Sequence, residues 1–156
     1  MNRPLRLTLL LAAAAIVAAP ADAAPDAPGC KPTPQDGFGP FGRGEPPLRA
    51  KIGTGHVLTG IVLSSLDCRP IRGARVNLWQ SNRQGVYTVS TSATVVADRT
   101  GRFRFEGPYP PSYEGRSPHI HLRVFAPLYS PLLTRFVPQR GERTGHVRLV
   151  LAPEDV

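Results

Sequence analysis

The sequence predicts an all-β fold, a single-domain β-sandwich with an extended N-terminal arm, and three observations predict it. The chain has 156 residues, about the length of one domain. Its 15 Gly and 18 Pro punctuate it too often for a helical bundle or a coiled coil. Its hydrophobic content of 41% is too high for a disordered chain, and it falls in short alternating runs with no helical stretch of ten residues.

The elements follow in order. Residues 1–23 form a secretory leader: Arg3 and Arg6 precede a thirteen-residue apolar run, 7–19, and Ala21-Asp22-Ala23 offers small residues for cleavage. The run is short for a membrane span, so no membrane association is expected after cleavage. Removing 23 residues from 156 leaves 133, carrying 17 basic and 10 acidic groups. Residues 24–50 are a Pro/Gly-rich arm, and 51–156 form the folded domain. Strands are expected at 57–63, 74–79, 87–90, 94–97, 103–105, 120–125, 132–136 and 146–151, with a turn at 98–101.

Export to the periplasm or beyond sets the redox environment. The two cysteines, Cys30 and Cys68, then read as one disulfide tying the arm to the first hairpin, with two buried thiols as the alternative. The net charge of +8 comes from 17 Arg and 2 Lys against 11 acids. It reads as a solvated basic surface or as a field that steers an anionic substrate. No basic run is interleaved with aromatics, so nucleic acid is not an expected partner.

The phrase Gly60-Ile61-Val62 … Cys68-Arg69-Pro70-Ile71-Arg72-Gly73-Ala74 resembles the opening hairpin of transthyretin-like (prealbumin-like) sandwiches. Many of those are binding modules, which leaves a metal-free secreted binding module as the alternative function. The chemistry lies further on. His119 and His121 are two apart on an apolar strand, so both rings point to one face while Ile120 packs on the other. Two imidazoles leave a metal site incomplete. The chain has four tyrosines, Tyr87, Tyr109, Tyr113 and Tyr129. A phenolate is a hard anionic donor suited to Fe(III). His56 and His146 read as surface or strand-end histidines, and Trp79 as core.

Several motifs in order then resemble the intradiol ring-cleavage dioxygenases, the catechol and protocatechuate dioxygenase family, in its small exported form. They are Trp79-Gln80-x-Asn82-x-x-Gly85-x-Tyr87, Asp98-x-x-Gly101-x-Phe103-x-Phe105, Pro110-x-x-Tyr113 and Arg116-x-Pro118-His119-Ile120-His121. The resemblance implies an Fe(III) site held by Tyr87, Tyr113, His119 and His121, with Arg116 as a catalytic cation and Tyr113 the tyrosinate that substrate displaces. Counting from Gly101 puts Tyr113 in register in preference to Tyr109. It also implies a catechol-type substrate and O2, with muconate-type products. Where the family often has a substrate-lining Gln, this chain has Arg135. That residue either grips an acidic substituent on the ring or turns outward to a surface acid such as Glu142.

Overall fold

The structure is a computed structural model and describes residues 30–36 and 44–154. The leader expected at 1–23 lies outside the described residues. Among them the chain is all-β. β1 (His56–Ser64), β2 (Arg75–Trp79), β3 (Ser92–Val96), β4 (Arg102–Gly107), β5 (Ile120–Phe125), β6 (Leu132–Phe136) and β7 (Thr144–Leu151) are joined by loops and one 3-10 turn, Val89–Thr91. They form two sheets, ordered β4-β1-β7 and β3-β2-β5-β6. The four-stranded sheet is antiparallel throughout. In the other, β1 pairs antiparallel with β4 and parallel with β7.

The period-2 alternation of the strands decides which face each side chain takes. Leu58 and Val62, Phe103 and Phe105, and Leu149 and Leu151 point from the three-stranded sheet into one core. Val76 and Leu78, Ala93 and Val95, and Ile120, Leu122 and Val124 meet them from the other. Each large side chain so buried contributes about 1.5–3 kcal/mol before entropy is counted. The opposite face of the four-stranded sheet carries Trp79, His121 and Arg135 in one row across β2, β5 and β6. Trp79 is therefore buried, as expected, but not in this core. It lies under the guanidinium of Arg123, 5.0 Å from the ring centre.

One expectation is corrected and another is narrowed. The strand expected at 87–90 does not form. Asn82 accepts the backbone N–H groups of Gln84 and Val86 and turns the chain out of the sheet. Tyr87 follows in an irregular segment, and the 3-10 turn capped by Thr88 leads into β3. His56 does end a strand but is not at the surface: it is 1% exposed, against Phe136 and edge-on to Tyr109. His146 is exposed, as expected, and meets the Thr59 hydroxyl at 3.1 Å.

The described parts of the arm run against sheet edges. The Cys30–Cys68 disulfide closes one end over Leu63 and Val150. The Thr33 N–H donates to the Val150 carbonyl at 3.0 Å, and the Asp36 N–H to the Leu133 carbonyl at 2.8 Å. Further along, the Thr94 N–H of β3 donates to the Pro47 carbonyl at 2.8 Å, and the Arg49 N–H donates to the Thr94 carbonyl at 3.0 Å.

Candidate active site

β5 positions the two histidines. Ile120 and Leu122 anchor the strand in the core with no exposure, which turns His119 and His121 to the opposite face, 4% and 1% exposed. The His119 Nδ1 donates to the Ser117 carbonyl at 2.7 Å. That bond fixes the tautomer and leaves the Nε2 lone pair facing the cluster.

Two loops bring the tyrosines. Tyr87 enters from the segment that Asn82 turns outward. Tyr113 sits on a two-residue hairpin in which Tyr113 and Arg116 exchange backbone bonds. Glu114 and Gly115 at its tip have φ of 48° and 74°, the left-handed pair of a type I′ turn, which favours Gly at the second position. Gly85 also has positive φ, and a Cβ there would stand 3.0 Å from the Tyr113 ring. A side chain at 85 would strain the backbone and press on that ring.

All four polar tips converge. Tyr87 Oη lies 2.7 Å from Tyr113 Oη, 3.2 Å from His119 Nε2 and 3.1 Å from His121 Nε2. The two Nε2 atoms are 3.1 Å apart. Tyr87 Oη thus faces three neighbours with a single proton to give. A bound cation would resolve such crowding of lone pairs. Burial pushes the Tyr87 hydroxyl above the ordinary tyrosine range, and the hydrogen bond and charge of Tyr113 act the same way, with Arg116 opposing. Burial lowers His121 to about 4. The charges of His119, Arg135 and Arg116 add to this and Asp36 opposes it. His121 is therefore neutral near pH 7, the form that binds metal. Among the described residues no three or more His, Cys, Asp or Glu side chains group to hold a metal ion. The protein groups nearest the histidine pair are the two phenols.

The remaining candidates fall around this cluster or away from it. Tyr109 points elsewhere, its hydroxyl donating to the Gln139 carbonyl at 3.0 Å. Arg116 is exposed, with its guanidinium 5.6 Å from the Tyr113 ring centre. Arg135, directly across from His121, meets Asp36 of the arm at 2.6 Å. Glu142, the acid named for it from the sequence, accepts the Gln139 N–H instead. Beside Tyr87 a cleft of about 280 Å3 runs between Trp79, Val89, Ser92 and the arm residues Glu45 to Pro47. Ser117 and Asp36 are the site residues that sequence reasoning missed. The first acts through its carbonyl, which no side-chain motif reveals, and the second lies 99 positions from its partner.

A two-sheet β fold that gathers two phenols and two imidazoles at one buried point defines a narrow class of protein. A family model described as Dioxygenase matches residues 45–143, more than half of the chain. The chain belongs to this family, the intradiol ring-cleavage dioxygenases, which are enzymes. Among solved structures it is similar to the dioxygenase domain of a dioxygenase carbohydrate-binding protein fusion from Streptomyces sp. SirexAA-E, at 22% identity and TM-score 0.69, covering 80% of this chain and 100% of that one. It is also similar to an intradiol ring-cleavage dioxygenase from Tetranychus urticae, at 20% identity and TM-score 0.68, covering 80% and 96%. Hydroxyquinol 1,2-dioxygenase from Pseudomonas putida DLL-E4 is similar at 18% identity and TM-score 0.67, covering 80% and 68%. At these identities the likeness is one of fold. No curated protein matches the chain in sequence.

Proposed function

We propose that the protein is an exported, Fe(III)-dependent dioxygenase that opens catechol-type rings between the two hydroxyl-bearing carbons. Both atoms of O2 enter a muconate-type dicarboxylate. The observation that carries this reading is the convergence of Tyr87, Tyr113, His119 and His121, with Tyr87 Oη 2.7–3.2 Å from a donor atom of each of the other three. Two hard phenolic oxygens and two neutral imidazoles suit a ferric ion in charge and chemistry. A bound ferric ion would supply the Lewis acidity that makes a chelated catecholate reactive toward dioxygen.

The chain's own groups divide the remaining work. Tyr87, wedged between both imidazoles, stays in place. Tyr113 rides on the hairpin with exposed Glu114, Gly115 and Arg116 beside it, so it is the phenol able to move aside. Held as a phenolate, as a bound ferric ion would hold it, its oxygen could take up one catechol hydroxyl proton and leave as the neutral phenol. Arg116 places a fixed positive charge where the ring turns anionic. Ser117 holds the His119 ring in one tautomer throughout. The leader at 1–23 and the Cys30–Cys68 disulfide support export, and the order of short strands supports a transthyretin-like sandwich in 51–156. Among the described residues no helix is long and apolar enough to cross a membrane.

Metal analysis with a visible spectrum tests the reading. The purified protein should carry one iron per chain and a tyrosinate-to-iron charge-transfer band, giving a red-brown colour. Tyr87→Phe and Tyr113→Phe should each shift or weaken it. A colourless protein with stoichiometric iron, or one holding only zinc, overturns the tyrosinate assignment.

A further inference from the structure

We infer that Asp36 masks Arg135 and thereby sets how strongly the site takes ring substrates bearing an acidic group. The inference rests on the catechol-cleaving reading above and goes beyond it. Arg135 and His121 are directly opposed on β6 and β5, so their side chains leave the same face of the sheet. His121 is 1% exposed and ends in the donor cluster, whereas the Arg135 side chain is 41% exposed. The guanidinium therefore stands at the solvent rim of the buried cluster. A planar guanidinium there matches a carboxylate with two parallel hydrogen bonds.

The structure shows that place already taken. Arg135 Nε meets Asp36 Oδ2 at 2.6 Å, and the Asp36 side chain is only 20% exposed. The arm holds that carboxylate by several independent ties. The Asp36 N–H donates to the Leu133 carbonyl at 2.8 Å. The Gln35 side chain accepts the Leu133 N–H at 2.7 Å and donates to the Pro131 carbonyl at 2.9 Å. Thr33 brackets Val150, and Cys30 is bonded to Cys68. Asp36 is thus a preorganised competitor for the group an acidic substrate would use. Arg135 is the specificity-determining residue, and Asp36 is a positioning residue acting through it.

The test is a double-mutant cycle on Asp36→Asn and Arg135→Gln, with two readouts. The first uses metal-free protein and benzoate, a carboxylate that lacks the catechol hydroxyls, and follows the Arg135 Nε–H resonance and the binding isotherm. Benzoate should bind Asp36→Asn roughly fivefold more tightly than the parent, the upper range for a half-exposed ion pair. That gain should shrink below about twofold when Arg135→Gln is added. The second readout is the kcat/KM ratio of 3,4-dihydroxybenzoate to catechol in the iron-loaded protein. It should rise by about the same factor in Asp36→Asn alone. Equal gains with and without Arg135 would reduce Asp36 to a general repulsive charge and overturn the mask. So would no gain in benzoate binding. A benzoate gain with turnover present but an unmoved ratio overturns the specificity role. A benzoate gain with no turnover of any catechol by any variant upholds the mask and sinks the dioxygenase reading instead.

Discussion

His56 is a histidine held in the interior without polar company. It is 1% exposed, and neither of its ring nitrogens has a hydrogen-bond partner among the described residues. Burial lowers its pKa below 6.5, with the charge of Glu142 opposing. The folded state therefore holds a neutral ring that the unfolded chain protonates once pH drops through about 6.5. Below that value the unfolded state binds more protons and stability falls with pH. His121 adds the same sign between 6.5 and about 4. In metal-free protein His56→Leu should raise stability near pH 7 by roughly 1 kcal/mol, since it removes an unsatisfied buried ring. It should also reduce the loss between pH 7 and pH 5, leaving the part owed to His121. Urea midpoints at the two pH values measure both, and an unchanged difference between them would show that His56 is no titrating core residue. Burial of this ring is not readable from the sequence, whereas the His119 and His121 pair is, because an i, i+2 spacing on an apolar strand commits both rings to one face whatever the strand pairs with. Tyr87 and Tyr113 lie on loops, and only the order of surrounding motifs singles them out from Tyr109 and Tyr129. The Asp36–Arg135 contact leaves no trace in the sequence, because it depends on where a Pro-rich arm crosses a sheet edge.

At the scale of the elements, alternation predicted strands well where both flanks were turn chemistry, as at 103–105 and 120–125, which became β4 and β5. It failed at 87–90, where Tyr87 and Val89 alternate like a strand but Asn82 has already turned the chain away. Periodicity does not carry the hydrogen bond of a preceding side chain. The arm and the site loops are separate elements, which makes them separable by experiment. Replacing Cys30 and Cys68 by Ser removes a cross-link of 38-residue separation. In the chain-entropy account that costs roughly 4 kcal/mol. The amides of 30–36 should then exchange faster, those of Thr33 and Asp36 foremost. The iron charge-transfer band should survive under conditions where the variant stays folded, because Tyr87, Tyr113 and β5 carry the donors without the arm. Loss of the band along with arm protection would mean that the arm is part of the metal site.

At the scale of the whole molecule, the sequence carried two facts of unequal reach. Strand faces were readable, but strand partners were not. The parallel pairing of β1 with β7 joins segments more than 80 positions apart, such as Thr59 with His146. Alternation is the same whichever neighbour a strand finds. Net charge needs no topology at all. The +8 of the chain is fixed by composition, and Arg116 adds an exposed charge beside the donor cluster. A surplus of this size raises the local concentration of anions over its surface, and salt removes the effect as the screening length contracts from about 30 Å at 10 mM to below about 8 Å at 300 mM. The Asp36 mask is a short-range, partly buried ion pair that salt weakens only in part, whereas the long-range field acts only at low salt. Between 10 and 300 mM salt, kcat/KM for 3,4-dihydroxybenzoate should fall by roughly fivefold, while that for catechol, neutral at pH 7, stays within about twofold. Charge reversal of exposed arginines in the β1–β2 and β3–β4 connections, Arg72→Glu with Arg99→Glu, should flatten the first curve and leave the second alone. Parallel salt curves for the two substrates would show that the basic surface takes no part in bringing substrate to the site.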